Sequence, residues 1–184
     1  MKIEIKSLKE LDLDFKMVKD FLFNQIKKEY GYGYVPNFHE DIINLKETYI
    51  DNNKNNFFIA IDKEKNKIIG SIAIRGYDKD FKEFEGMFSY NLTSSIWRLF
   101  VDNDYRRLGI GRKLVEKVEI FSKENDYIGI YLHTHKTLKG ALDFWTSLKY
   151  DILIDTENEL KTVHMFKNIN NLRNTLNSSS KIPI

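Results

Sequence analysis

The chain has 184 residues, of which 42% are hydrophobic and 30% are charged, and its net charge at pH 7 is +2. This length fits one domain with a sizeable core, and so small a net charge gives no broad field for nucleic acid or a membrane surface. Cysteine is absent, which excludes disulfides, thiolate metal sites and a cysteine nucleophile. The opening MKIEIKSLKELDLDF has no apolar leader segment, and no apolar run approaches the roughly 20 residues of a membrane span. We therefore expect a cytoplasmic protein.

The first part of the chain predicts a strand followed by two helices. Residues 2–6 alternate like a half-buried strand. Asp12 or Asp14 is suited to cap a helix that runs to about Tyr30. The aromatic stretch YGYGYVPNF then predicts a loop, and the apolar spacing that follows predicts a second helix over about 39–51.

The middle of the chain predicts a hairpin and a buried strand. Residues 57–61 and 67–76 are rich in β-branched and aromatic side chains and flank a charged turn, which indicates two antiparallel strands. Residues 77–94 have no regular pattern. SIWRLFV, at 95–101, is nearly continuous in apolar character, which is typical of a strand covered on both faces.

The last part of the chain predicts two more helices and three strands. Apolar residues recur at helical spacing from Ile110 to about Glu124 and again over 138–148. Residues 128–134 form a further buried strand, and 151–154 with 162–169 predict a closing hairpin.

The predicted order of elements is β-α-α-β-β-β-α-β-α-β-β. Its antiparallel first half leads into a strand-helix-strand crossover, which predicts an α/β (α+β) fold with a mixed central sheet and helices on both faces. We expect residues 1–169 to form one domain and the Asn/Ser-rich residues 170–184 to form a loose polar tail.

The stretch RRLGIGRKL, at 106–114, follows a buried strand and opens a helix. Gly109 and Gly111 let the backbone approach a ligand closely, and the first N–H groups of a helix favour an anion. With the neighbouring arginines, this pattern predicts a cradle for a pyrophosphate. A plain glycine turn and a basic patch for nucleic acid are the alternatives, although glutamates on the following helix interrupt any basic face. Leu114 stands where a dinucleotide fingerprint needs a third glycine.

LFVDNDYRRLGIGRKLVEKV, at 99–118, resembles the signature of the GNAT superfamily of acyl-CoA N-acyltransferases. That signature is Arg or Gln, two residues, Gly, one residue, and then Gly or Ala, and Arg106, Gly109 and Gly111 fill it. GALDFWTSLKYD, at 140–151, is similar to a later segment of the family. The element order also matches, so the resemblance covers about residues 2–169.

The resemblance implies an N-acetyltransferase that uses acetyl-CoA as co-substrate and a primary amine of a small molecule or peptide as acceptor. It implies that backbone N–H groups of the glycine loop hold the pyrophosphate and that the main chain of the fourth strand pairs with the pantetheine. It also implies that the fourth and fifth strands splay apart. The residues expected at the cofactor are Leu99, Phe100, Val101, Arg106, Arg107, Leu108, Gly109, Ile110, Gly111, Arg112 and Trp145.

Candidates for proton transfer are His133 and His135, at the end of the fifth strand, because an imidazole titrates near neutral pH. The alternative is a pair of hydrogen-bonded strand-end histidines, and no third ligand suggests a metal. Many relatives place an acidic tyrosine where this chain has Trp145, whose indole N–H cannot supply a proton in this pH range. Tyr131 is another candidate acid, although packing is its simpler role. Without a clear acid, a catalytically silent acyl-CoA-binding module is the alternative function.

Candidates for the acceptor site are Tyr32 and Tyr34, in the aromatic loop, and Arg98, in the fourth strand. An aromatic wall suits an apolar or cationic acceptor, whereas packing and a buried ion pair are the alternatives. Glu83 and Glu85 would attract a cationic amine if they face the site. We expect no nucleic-acid, membrane or metal partner, and either a monomer or a homodimer.

Overall fold

The sheet that organises the molecule has seven strands in the order β1-β2-β3-β4-β5-β7-β6 within residues 2–170, which the computed structural model describes. The strands are β1 (Ile3–Ser7), β2 (Asn56–Asp62), β3 (Lys67–Gly76), β4 (Thr93–Val101), β5 (Gly129–His135), β6 (Asp151–Asp155) and β7 (Thr162–Asn168). The helices are α1 (Phe15–Tyr30), α2 (Pro36–Ile43), α3 (Ile110–Glu124) and α4 (Ala141–Ser147). Strands β4 and β5 run parallel, and the other neighbouring strands run antiparallel. The predicted mixed sheet and element order are confirmed.

The predicted ends of α1 are confirmed in detail. The Asp14 side chain accepts a hydrogen bond from the backbone N–H of Lys16 at 2.8 Å, so Asp14 rather than Asp12 is the cap. Gly31 ends the helix with φ at +76°, a backbone conformation that other residues adopt at a cost.

The second helix differs from the prediction of 39–51. It begins at Pro36 and ends at Ile43, and a separate π-helical turn follows over Lys46–Ile50. The fixed φ of proline suits the first position of a helix, which is why the helix starts inside the predicted loop. The helix predicted over 138–148 is likewise shorter, because Gly140 at φ +77° precedes its first turn. The tail predicted over 170–184 lies outside the described residues, apart from Asn170.

Two apolar clusters cover the two faces of the sheet. On one face, Leu114 and Val118 of α3 pack with strand residues such as Ile72 and Ile130. On the other face, Leu22 and Ile26 of α1 and Ile42 of α2 pack against alternate residues of the same strands. The period-two alternation of β2 and β3 therefore supplies both cores. No helix within residues 2–170 is both long enough and apolar enough to cross a bilayer.

The junction between β4 and β5 is short. The two strands pair from Thr93↔Gly129 to Ser95↔Tyr131, and beyond these residues they separate. On its other side, β4 carries a bulge, since Ser71 pairs with Phe100 while Ala73 pairs with Trp97. Arg98 lies in the bulge with φ at +52°, which is uncommon for a residue with a side chain. The bulge turns the end of β4 away from β5 and opens a gap in the sheet.

Candidate active site

A cleft of about 1350 Å³ occupies the gap between β4 and β5. One part of it, which we call the glycine-loop end, is bordered by residues 99–101, residues 106–112 and α4. The other part, the histidine end, is bordered by the aromatic loop between α1 and α2 and by side chains from the sheet. The lining at the histidine end includes Tyr32, Phe81, Trp97, Arg98, His133, His135 and His164.

The glycine-loop end presents free backbone donors. Gly109 precedes α3 in the left-handed conformation, with φ at +75°, and no side chain caps the helix. The first hydrogen bond of the helix runs from the N–H of Lys113 to the carbonyl of Gly109 at 3.1 Å. Within residues 2–170, the N–H groups of Gly109 to Arg112 therefore find no acceptor. A Cβ at Gly111 would lie in van der Waals contact with the ring of Phe144, at 3.4 Å.

The arginines of the loop have different partners. Arg106 donates to the carbonyl of Val101 at 3.1 Å and pairs with Glu29, so it fastens the loop to β4 and α1. Arg112 reaches Ser147 Oγ at 3.5 Å. Arg107 and Arg112 line the cleft and leave positive charge beside the free N–H groups. Backbone donors and cationic side chains together favour an anionic ligand at this end.

The residues expected at the cofactor line the cleft with one exception. Leu108 does not border the cleft, and its side chain is 49% exposed. Trp145 lines the cleft but is otherwise buried, with ring centroids of Phe144 and Tyr150 at 5.1 and 5.2 Å. Its surroundings are those of a packing residue.

Three histidines meet at the histidine end. His133 of β5 pairs in register with His164 of β7, and the ring centroids of His133 lie 5.8 Å from His135 and 6.1 Å from His164. His135 Nδ1 lies 3.2 Å from Thr162 Oγ1. His133 Nδ1 is buried and has no hydrogen-bond partner among residues 2–170. In the same range, no group of three or more His, Asp or Glu side chains could hold a metal ion.

The titration expected for these histidines is wrong. Burial lowers the pKa of His133 to about 3, and the nearby charge of Lys79 adds to the effect. Burial also lowers the pKa of His135. Both rings are therefore neutral at neutral pH, which leaves them free to accept a proton but makes them weak bases.

The sequence did not single out His164, which lines the cleft, or Lys79, which packs over the lining residues Trp97 and Phe81. Lys79 Nζ lies 3.4 Å from the centre of the Trp97 ring, and the guanidinium carbon of Arg75 lies 3.8 Å from the same ring. Burial, with the charge of Arg75, lowers the pKa of Lys79 to about 7. His164 Nδ1 lies 2.7 Å from the hydroxyl of Tyr131. Lys79 lies in the irregular segment 77–94, where no periodic pattern marks which side chains point inward.

Arg98 makes a buried ion pair, which was the alternative to its predicted role at the acceptor. Its guanidinium contacts Asp41 at 2.5 Å and also donates to the carbonyl of Phe38. Tyr49 donates to the same carboxylate at 2.7 Å. Burial alone would raise the pKa of Asp41, but the hydrogen bond and charge of Arg98 outweigh it, and the pKa is lowered. The pair ties the β4 bulge to α2 while one side of Arg98 borders the cleft.

The aromatic loop contributes one of its two candidate tyrosines to the cleft. Tyr32 lines it and stacks on Tyr30 with ring centroids 5.7 Å apart. Tyr34 lies outside the lining, because its ring packs edge-on against Phe23 at 5.8 Å and beside His39. Tyr131 is fully buried among aromatic rings, and burial raises its pKa. Neither Tyr131 nor the glutamates at 83 and 85 border the cleft.

Comparisons with known proteins identify the family and the fold. Residues 20–150 match the family model described as the acetyltransferase (GNAT) family. An N-alpha-acetyltransferase 50 of Danio rerio is 35% identical over 60 residues, which make up 32% of this chain and 36% of that protein. The chain therefore matches about a third of that relative's length.

Solved structures share the fold across nearly the whole chain. An acetyltransferase of the GNAT family from Staphylococcus aureus Mu50 superposes with a TM-score of 0.70 at 24% identity, over 91% of this chain and 99% of that one. A PaiA N-acetyltransferase from Thermoplasma acidophilum, solved in complex with coenzyme A, superposes with a TM-score of 0.61 at 18% identity, over 91% and 99% of the two chains.

Proposed function

This chain belongs to the GNAT family of acetyltransferases, and we propose that it transfers the acetyl group of acetyl-CoA to a primary amine of a small molecule or peptide. Acetyl-CoA would supply an activated acetyl group, and the reaction would form an amide and release the thiol of coenzyme A. The observation that carries the proposal is the set of free N–H groups of Gly109 to Arg112, which open into the cleft beside two arginines. The coenzyme A complex of the Thermoplasma neighbour supports the same ligand.

Two parts of this chain suit coenzyme A, namely the glycine loop and the end of β4. The glycine loop offers donors for a pyrophosphate, and the space around Gly109 is open to a ligand. The separation of β4 from β5 frees main-chain groups of Leu99 to Val101 for an extended pantetheine. In the proposed site, the backbone near Phe100 stabilises the oxyanion that forms on the acetyl group.

His133 and His135 are the proposed proton acceptors for the amine. Both line the cleft, and both are neutral near pH 7 because burial lowers their pKa values. Trp145 cannot supply a proton, so water or the amine itself is the proposed proton source for the departing thiol. A weak base suffices if the site holds an amine that has already lost its proton.

The test is calorimetric binding of acetyl-CoA to the Gly109→Val variant. Valine would place methyl groups where the phosphates approach, and we expect affinity to fall at least about tenfold. Gly86→Val is the matched control, because Gly86 also has a positive φ, +72°, and open space around its Cβ. Equal affinities for both folded variants would contradict the assignment of the glycine loop.

A catalytically silent acyl-CoA-binding module is the second candidate, favoured by Trp145 at the position of the usual acid. Measuring free thiol with a panel of amines separates the two functions. Tight acetyl-CoA binding without thiol release for any amine would support the silent module.

A further inference from the structure

Basic side chains dominate the histidine end of the cleft. His133, His135, His164 and Arg98 line it, and Lys79 lies outside the lining with its ammonium group over the rings of two lining residues, Trp97 and Phe81. We call these five residues the basic cluster. They come from β4, β5, β7 and the segment before β4, so the fold brings them together from distant parts of the sequence.

Carboxylates are absent from this end of the cleft within residues 2–170. The acidic residues of the cleft lining are Glu29, which pairs with Arg106, and Asp143, in the first turn of α4. Asp41 lies behind Arg98, where Arg98 and Tyr49 already bind it. Asp78 is paired with Arg75 at 3.2 Å.

Asp80 is exposed and outside the cleft lining, and Glu83 is a further nearby acid. Its charge raises the pKa of His164, but burial is the larger effect, and the pKa of His164 is still lowered. Glu83 is exposed and does not line the cleft. The histidine end thus contains basic groups in excess of acids.

The cluster is short of compensating negative charge. Burial and mutual repulsion lower the pKa of Lys79 to about 7 and that of His133 to about 3. The unpartnered Nδ1 of His133 is a buried polar atom that no described residue satisfies. An anion placed here would favour the protonated form of Lys79 and would accept hydrogen bonds from the guanidinium of Arg98 and from imidazole N–H groups, whereas a cation would be repelled.

We infer that the amine acceptor carries its own anionic group, a carboxylate or a phosphate, which the basic cluster binds. The inference rests on the proposed function and names the substrate class of that site. It replaces the cationic acceptor that Glu83 and Glu85 would have attracted. The same positive surroundings lower the pKa of the acceptor's ammonium group, which favours the neutral amine that attacks a thioester.

The first experiment compares small amines of similar length by thiol release at neutral pH. The acceptors are β-alanine with a carboxylate, phosphoethanolamine with a phosphate, ethanolamine with a neutral hydroxyl, and ethylenediamine with a second cation. We expect kcat/KM for β-alanine or phosphoethanolamine to exceed that for ethanolamine by about tenfold or more, since a charge-assisted hydrogen bond contributes on that order. Which of the two anionic amines is better identifies the anion. Ethylenediamine or ethanolamine as the best acceptor would overturn the inference and leave the acetyltransferase standing.

Lys79→Met tests the cluster itself, since methionine keeps the apolar stem over Trp97 and removes the charge. We expect it to reduce kcat/KM for the anionic amine about tenfold more than it reduces kcat/KM for ethanolamine. Lys82→Met, at an exposed lysine three residues along the same segment, is the control and should retain the preference. If both variants prefer the anionic amine over ethanolamine to the same degree, the basic cluster does not bind the anionic group.

A binding measurement tests the inference without turnover. In the presence of coenzyme A, N-acetyl-β-alanine and its uncharged amide are titrated calorimetrically in buffers of different ionisation enthalpy. We expect tighter binding of the acid, with uptake of protons from the buffer. Equal affinities without proton uptake would overturn the inference. Absence of thiol release with every amine would instead count against the proposed catalytic function, and this titration would still decide whether the cleft binds an anion.

Discussion

At the scale of single residues, His133 has the most unusual environment in the site. Its ring borders the cleft, yet its Nδ1 atom is buried without a described partner, and its pKa is lowered to about 3. The unfolded chain would bind a proton at this side chain near its ordinary pKa of about 6.5. The folded state therefore loses stability relative to the unfolded state as pH falls from about 6.5 towards 3.

Replacing His133 with Gln tests both consequences of this environment. We expect the loss of stability on acidification, followed by thermal unfolding between pH 7 and pH 5, to be smaller in His133→Gln than in the wild type. If His133 is the proton acceptor, kcat/KM falls by about 10²–10⁴. Because the folded pKa is far below neutral, the wild-type rate should show no acid limb in the usual histidine range. If this variant keeps full activity and the wild-type dependence of stability on pH, His133 lines the cleft without accepting a proton.

At the scale of elements, the bulge in β4 has two effects. It separates the end of β4 from β5, and it directs Arg98 towards Asp41 of α2. The Arg98 and Asp41 side chains are 13% and 5% exposed, so neither charge is well hydrated. Removing one partner from such a pair leaves the other charge buried without compensation. The position of the aromatic loop relative to the cleft thus depends on this ion pair.

We expect Asp41→Asn to lower the free energy of unfolding by about 3–5 kcal/mol, measured by urea titration. Asp51→Asn is the matched control, because Asp51 pairs with Lys46 at 2.7 Å on the surface, where both side chains are more than half exposed. Its cost should be below about 1 kcal/mol. Similar losses for the two variants would mean that the Arg98–Asp41 pair contributes no more than a surface contact.

At the scale of the whole molecule, two apolar clusters cover a sheet that has a cleft between β4 and β5. A ligand that binds this cleft only in the folded state stabilises that state by about 2.7 kcal/mol when its free concentration is a hundred times its Kd. For a chain of this size, that corresponds to an increase in Tm of about 5–11 °C. We expect coenzyme A to give this increase in thermal unfolding of the wild type and to give little in Gly109→Val. An equal increase in that variant would indicate binding elsewhere.

The sequence predicted the elements and the glycine loop because both leave local patterns. Alternating or helical apolar spacing marked β2, β3 and α3, and paired glycines before an amphipathic helix marked residues 106–112. The histidine end was predicted only in part, since Lys79 lies in a segment without a periodic pattern and His164 comes beside His133 only through the pairing of β7 with β5. The lowered pKa of His133 depends on burial by distant residues, which spacing along the chain does not report. Tyr34 was misplaced because a loop pattern does not show which aromatic ring turns inward.

The short junction between β4 and β5 has a mechanical consequence. Only a short ladder joins the first four strands of the sheet to the other three. It consists of the register pairs Thr93↔Gly129, Ser94↔Ile130 and Ser95↔Tyr131. Beyond these pairs β4 and β5 do not pair, and the apolar cluster beneath α3 holds the two groups of strands together. A ligand that binds across the gap contacts both groups of strands and links them. Occupancy of the cleft should therefore stiffen the molecule as a whole and damp the relative movement of its two halves.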